Sequence, residues 1–302
     1  MDNQDLVNSN EYLMELRRRR REELRQQERR ELRVLVPRPC PYCGALIYPL
    51  EFEVFDKARQ IEVEWCTCEL AQLAKENQES KREKARIEGE FKRLWDKSGA
   101  IGGEYDRMTF EEWDEKRHPK ALSHLKDTIN YCVNVSDTKP NMLYLYGLYG
   151  RGKTHLGIAA LRKITQDRID DPRGNLTPYF VEWLEHCSKV QATWDKDDSE
   201  SGPTEDQLWR RMKGAGILQI DDIDKGRVSE WAMSKLLEVV QWRYMRDKPL
   251  IITSNHSLLE LEEYWTSSKL AYVRDTGAAI CSRLSKMLMK QIHVVGEDQR
   301  DR

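Results

Sequence analysis

The segment Gly147-Leu148-Tyr149-Gly150-Arg151-Gly152-Lys153-Thr154 constrains this chain more than any other. It fits G-x-x-x-x-G-K-T. The apolar run Met142–Tyr146 before it reads as a buried strand, and Leu156, Ile158, Ala159, Ala160 and Leu161 after it read as an apolar helix. Strand–loop–helix is the context this pattern requires. Glycines at 147, 150 and 152, with Arg151 among them, let the backbone wrap an anion with its amides inward, and the helix that follows presents its positive end. Lys153 is placed for the β- and γ-phosphates, and the Thr154 hydroxyl for magnesium. The expected ligand is ATP with Mg2+.

A phosphate loop of this kind needs an acid on a neighbouring strand. Ile217-Leu218-Gln219-Ile220-Asp221-Asp222 supplies it: the apolar run buries the strand and the paired carboxylates emerge at its end, where open α/β sheets bind ligands. Asp221 is assigned to magnesium and Asp222 to orienting and activating water. Asp224 competes for that role, with solvated surface as its expected place. A further run, Pro249-Leu250-Ile251-Ile252-Thr253-Ser254-Asn255, ends a buried strand on Asn255, either an ordinary turn residue or a group that senses the γ-phosphate or positions water. Apolar runs alternating with helical stretches predict an α/β domain with a mostly parallel sheet.

Ahead of this region, Cys40-Pro41-Tyr42-Cys43-Gly44 and Trp65-Cys66-Thr67-Cys68 bracket short strand-like stretches. Four thiolates, Cys40, Cys43, Cys66 and Cys68, match the tetrahedral preference of Zn2+ and leave no position for a catalytic water. The C-x-C half-site is tighter than usual. Cys132, Cys187 and Cys281 are isolated and read as small buried hydrophobes.

The resulting division is a helical arm (1–36), a four-cysteine zinc-binding module (37–72), a charged helical connector (73–103) broken by Ser98–Gly103, and an α/β domain (104–302). The arm carries Arg17–Arg21, but its charges nearly balance, which suits a solvated, ion-paired helix better than a nucleic-acid arm. The stretch 195–207 is polar and reads as a loop. With 50 basic and 52 acidic residues, no global field draws the chain to nucleic acid, so any DNA contact must be local. The first residues lack the apolar core of an export signal and no run is long enough to span a bilayer, which places the chain in the cytoplasm with reduced cysteines and no membrane partner.

The order GLYGRGKTHL, ILQIDDID, PLIITSN, CSRL and a final strand IHVVGEDQR, opened by Tyr105–Phe110, resembles the AAA+ ATPases of bacterial replicative helicase loaders and the related helper ATPases of transposition. The resemblance covers about residues 105–302. It implies a P-loop AAA+ fold and self-association through the ATP sites. It also implies an arginine finger, matched by Arg283 in Cys281-Ser282-Arg283-Leu284, whose planar guanidinium suits a neighbour's γ-phosphate. A C-terminal sensor arginine is matched by Arg300. A zinc module ahead of the ATPase is similar to the loader branch whose N-terminal domain grips the helicase.

The expected function is ATP-dependent delivery of a replicative DNA helicase onto single-stranded DNA. Lys189, Lys196, Arg210, Arg211 and Lys213, with Trp183, Trp194 and Trp209, are either a single-strand surface or ordinary surface charges and core tryptophans. Three rivals stay open: a transposition helper acting with duplex DNA and a transposase, a monomeric phosphoryl-transfer enzyme, and an adaptor that binds ATP without turnover.

Overall fold

The computed structural model describes residues 36–54, 57–61, 63–116, 118–171, 176–194, 202–226 and 229–298, with backbone alone for 51–54 and 57–61. The arm before residue 36, Lys196 and Arg300 lie outside the described residues. The chain divides into two compact units, Met1–Lys84 and Ala85–Arg302.

The first unit holds two small antiparallel pairs, β1 (Arg38–Pro39) with β2 (Leu46–Ile47) and β3 (Leu50–Val54) with β4 (Lys57–Ile61). Cys40, Ile47 and Ala71 are buried there, with Val63, Trp65, Cys66 and Cys68 against them. So small an apolar cluster is a weak core by itself, the usual circumstance in which a metal or disulfide supports a fold. A helix, α1 (Glu69–Trp95), starts in this unit and ends in the second. The sequence reads it as a connector, yet its last turn belongs to the second unit's core: Leu94 and Trp95 are buried, Phe91 stacks on Trp95 at 5.6 Å, and the Arg162 guanidinium lies 4.4 Å from the Trp95 ring. Spacing of three and four residues puts Phe91, Leu94 and Trp95 on one face.

The second unit is a five-stranded sheet, all parallel, in the order β6-β7-β8-β5-β9. Its strands are β5 (Met142–Tyr146), β6 (Pro178–Glu182), β7 (Ile217–Asp221), β8 (Leu250–Ser254) and β9 (Leu288–His293). The last begins four residues before the IHVVGEDQR segment that the sequence suggests. Between strands run α2 (Ala121–Asn134), α3 (Lys153–Asp167), α4 (Trp183–Gln191), α5 (Glu205–Gly214), α6 (Glu230–Met245), α7 (Leu258–Thr266) and α8 (Ala271–Met287). Strand side chains alternate between two buried clusters. Met142, Tyr144, Leu218, Ile220, Leu250 and Ile252 face one; Leu143, Leu145, Ile217 and Ile251 face the other. Burial on both faces is why these strands read as continuous apolar runs.

One expectation needs correction, and for Trp183 and Trp209 the structure selects one of the two readings left open. The polar stretch 195–207 is not a loop throughout: Thr204 caps α5 in a reciprocal capping box with Gln207, so residues 205–207 are helical. Trp183 and Trp209 are buried core residues, with ring centroids 6.3 Å apart and His186 edge-on to Trp209 at 4.8 Å. Among the tryptophans proposed for a single-strand surface, Trp194 alone is exposed, at 53%. The nearby cations are engaged: Lys189 pairs with Glu185, Arg210 with Asp206 and Lys213 with Glu238, while Arg211 donates to the Lys97 carbonyl.

Arg243 of α6 is fully buried and donates to the carbonyls of Met212, Lys213, Ala215, Gly216 and Pro249 at 2.6–3.4 Å. It satisfies the last carbonyls of α5 and the lead-in to β7, and gives the Pro249 carbonyl before β8, which also accepts from the Leu218 N–H, a second donor. Arg243→Met should therefore lower stability by about 3 kcal/mol. Urea denaturation checks this, and an unchanged midpoint would refute the anchor.

Candidate functional site

The ends of β5, β7 and β8 converge. Helix α3 approaches β7 closely because Gly157 sits against the buried Gln219; a Cβ added at Gly157 would lie 2.5 Å from Gln219 Nε2. Thr154, one turn earlier, thus reaches Asp221, two residues further along the same strand face: Thr154 Oγ1 donates to Asp221 Oδ2 at 2.9 Å. Thr253 on β8 donates from Oγ1 to Asp221 Oδ1 at 2.8 Å and accepts from the Asp222 backbone N–H at 2.8 Å. Nothing in the sequence singled out Thr253, although a hydroxyl at the end of a strand beside the acidic one is the signal to look for.

The loop itself takes the required shape. Gly152 caps α3 in the left-handed region, φ 88°, and Gly147 at φ 139° packs so tightly that a Cβ there would meet Val294 O at 2.4 Å. Lys153 is 6% exposed. Its Nζ donates to Gly147 O at 2.9 Å, Leu148 O at 3.1 Å and Asn255 Oδ1 at 3.1 Å. All three acceptors are uncharged. Burial lowers the lysine's pKa, opposed by the charges of Asp222, Asp221 and Asp224. An ammonium buried with only neutral partners in hydrogen-bond contact is a ready anion site. Asp221, nearly fully buried, has its pKa raised to about 6, first by burial and then by the charge of Asp222, with Thr253, Thr154 and Lys153 opposing.

Gly150, Arg151, Gly152, Lys153, Thr154, Asp221 and Asp222 line one cleft of about 510 Å³, with Tyr105, Met108 and Glu182 among its other walls. Asn255 joins through Lys153. Asp222 sits at φ 50° and pairs with Lys225, a cleft residue that the sequence reading missed. Asp224 is not on the solvated surface: its side chain is 2% exposed and accepts from Asn255 and His256. Arg283 does not line the cleft of its own chain. It lies on α8, donating to Gln241 of α6 and, at 2.6 Å, to Ala279 O.

In the first unit the sulfurs of Cys40, Cys43, Cys66 and Cys68 all lie within 4.8 Å of one another. Cys40 Sγ is 3.8 Å from Cys68 Sγ, and Cys43 Sγ is 3.7 Å from Cys66 Sγ. Four thiolates about 2.3 Å from one tetrahedral ion sit about 3.8 Å apart. Both sulfurs of the tight C-x-C half-site reach the cluster, one toward each cysteine of the other half-site.

No family model matches the chain. Among curated proteins of Bacillus subtilis (strain 168), it is 24% identical over 159 residues to the phage-like element PBSX protein XkdC, a match covering 50% of this chain and 54% of XkdC. It is 22% identical over 219 residues to the uncharacterized protein YqaM, covering 68% of this chain and 60% of that one. The matches thus span little more than half of each relative's own length. Similar solved structures include DnaI (TM-score 0.49, 17% identity, 67% of this chain and 96% of that one) and the DnaC helicase loader (0.48, 20%, 65% and 100%). DnaA bound to AMPPCP and single-stranded DNA is also similar (0.43, 17%, 63% and 50%).

Because the Asp221 carboxyl holds its proton more tightly folded than unfolded, the folded state loses stability as pH rises from about 4 to about 6. The shift corresponds to about 2–3 kcal/mol. Asp221→Asn should therefore melt higher than the parent at pH 7.5 without nucleotide, and like the parent at pH 4. Calorimetric scans at the two pH values decide it; equal melting at pH 7.5 would show that the buried charge costs nothing.

Proposed function

We propose that this chain is an ATP-dependent loader that delivers a replicative DNA helicase onto single-stranded DNA. The observation that carries the ATPase half is the joined pair of contacts Lys153–Asn255 and Thr154–Asp221, at 3.1 and 2.9 Å. They bring an ammonium, a hydroxyl, a carboxylate and an amide from three strand ends to one cleft. These are the groups that hold a triphosphate and its magnesium. Gly150, Arg151, Gly152 and Lys153 would bind the phosphates; Thr154 and Asp221 would hold Mg2+. Asp222, tethered by Lys225, would orient the attacking water and take its proton, and Asn255 would sense the γ-phosphate or help position that water. Bound ATP supplies the phosphoanhydride whose cleavage resets the loader.

Arg283 fits a role in trans. It stands outside its own cleft, held in place by Gln241 and the helix carbonyl, so it would complete a neighbouring copy's site. Arg300 is proposed as the C-terminal sensor from the sequence match alone.

The loading half rests on the motif order and on the cysteine unit placed before the ATPase domain. The thiol spacing supports one structural Zn2+ in that unit. Tyr42, Leu46, Tyr48, Leu50, Leu70 and Leu73 are all exposed there, an apolar surface suited to a protein partner rather than to a phosphate backbone. The described residues contain no helix long and apolar enough to cross a membrane, and a cytoplasmic place of action is part of the proposal.

Lys153→Ala should weaken ATP binding at least about 100-fold, since a buried charged contact is lost. Arg283→Ala should keep ATP affinity and lose turnover, and mixing the two inactive proteins should restore hydrolysis. Fluorescent-nucleotide titration and phosphate release measure both; no rescue on mixing, with active monomers, would favour the small-molecule phosphoryl-transfer enzyme.

Residues 1–84, purified with one Zn2+ per chain, should pull down a replicative helicase without nucleotide. Residues 85–302 should bind ATP and not the helicase. Capture of a transposase instead, or tight binding of duplex DNA, would support the transposition helper.

A further inference from the structure

Asp224 lies in the turn after β7, two residues beyond the second acid of the pair, and its buried carboxylate gathers three kinds of donor. The Asn255 backbone N–H reaches its two oxygens at 3.2 and 3.1 Å. Asn255 Nδ2 reaches Oδ2 at 3.1 Å, and His256 Nδ1 reaches the same oxygen at 2.9 Å. An ionised carboxylate only accepts, so every group touching it must present N–H. That requirement settles two orientations. The Asn255 amide must turn its NH2 to Asp224 and its carbonyl to the Lys153 ammonium, 3.1 Å away. The reverse orientation would set NH2 against ammonium and carbonyl against carboxylate, two repulsions in a buried site. His256 must carry a proton on Nδ1. The histidine is itself fixed: its ring stacks on Tyr264 at 5.3 Å and 9°, and its carbonyl accepts from the Tyr144 hydroxyl at 3.0 Å.

We propose that Asp224, steadied by His256, is a positioning residue that holds the Asn255 amide in the orientation by which the site tells ATP from ADP. The proposal rests on the nucleotide reading above. Lys153 is the loop's group for the β- and γ-phosphates, and the Asn255 carbonyl already faces that ammonium. The amide is therefore oriented where the presence of a third phosphate is felt. With Asp224 in place the carboxylate and the Lys153 ammonium both enforce one orientation of Asn255; with an amide at 224 only the ammonium does, and the hold weakens.

The experiment is Asp224→Asn in the full chain, which keeps the side chain's volume and removes its acceptor-only character. Turnover should fall by up to about 100-fold, the scale of a misplaced reacting contact, with KM within about 3-fold. The preference for fluorescent ATP over fluorescent ADP should collapse while ADP affinity holds. In an Asn255→Ala background the same substitution should cost nothing further, because Asp224 acts through Asn255. His256→Ala should reduce the preference in the same direction by less.

Without nucleotide, 15N NMR of the parent should show His256 protonated on Nδ1, and Asp224→Asn should show mixed tautomers. Unchanged turnover and preference, effects that multiply with Asn255→Ala, or a parent His256 protonated on Nε2 alone would each overturn the proposal. So would equal loss of ATP and ADP affinity with a fallen melting temperature, the mark of a purely structural role. A parent that binds no ATP would instead strike the nucleotide reading, and the His256 tautomer would still judge the hydrogen-bond arrangement.

Discussion

The carboxylate of Asp221 is the constraint around which the second unit is arranged. A charge at the end of a buried strand is tolerated only where donors reach it. Here the donors come from the next two strands on one side in the sheet order: Thr253 lies on β8, and Thr154 follows β5 beyond it. The same Thr253 hydroxyl accepts from the backbone of Asp222, so one side chain fixes both acids. Position, register and loop shape at three strand ends follow from satisfying this one group. A bound cation would relieve the remaining cost of that buried charge.

Charge in the cleft is arranged in two layers. Asp221 is held by the hydroxyls of Thr154 and Thr253, while Lys153 is held by neutral oxygens alone. Asp222 is drawn toward Lys225 and so shares its charge with a cation of its own turn. The acids thereby stay near the ammonium without neutralising it through a direct ion pair. That leaves the ammonium's charge available for an anionic ligand, and it explains how three carboxylates fit within one turn of chain.

Much of this was legible from residue patterns because it follows from local rules. The glycine loop, the apolar strands and the acids at strand ends each announce themselves by spacing, and both sheet faces being buried makes the strands read as unbroken runs. The cysteine pairs are legible for the same reason. What escaped depends on partners far apart in sequence. Asp224 looks like a surface acid until Asn255 and His256 are seen closing over it, 31 and 32 residues later. Thr253 is one hydroxyl among many until Asp221 lies beside it. Trp183 and Trp209, spaced among cations, mimic a nucleic-acid surface, but they pack with His186 inside the core. The end of α1 misled through composition: its many charges hide Phe91, Leu94 and Trp95, three residues on one face.

Arg243 ties the end of a helix to two strands that the sheet's hydrogen-bond ladder already pairs. One guanidinium holds the last carbonyls of α5, the approach to β7 and the approach to β8. If α5 frays at that end, the guanidinium loses partners that no solvent is at hand to replace. Opening at one of the three places therefore raises the energy of the other two. In hydrogen exchange these segments should behave as one cooperative block, slow and uniform, even though α5 begins after a polar stretch and its opposite end faces solvent.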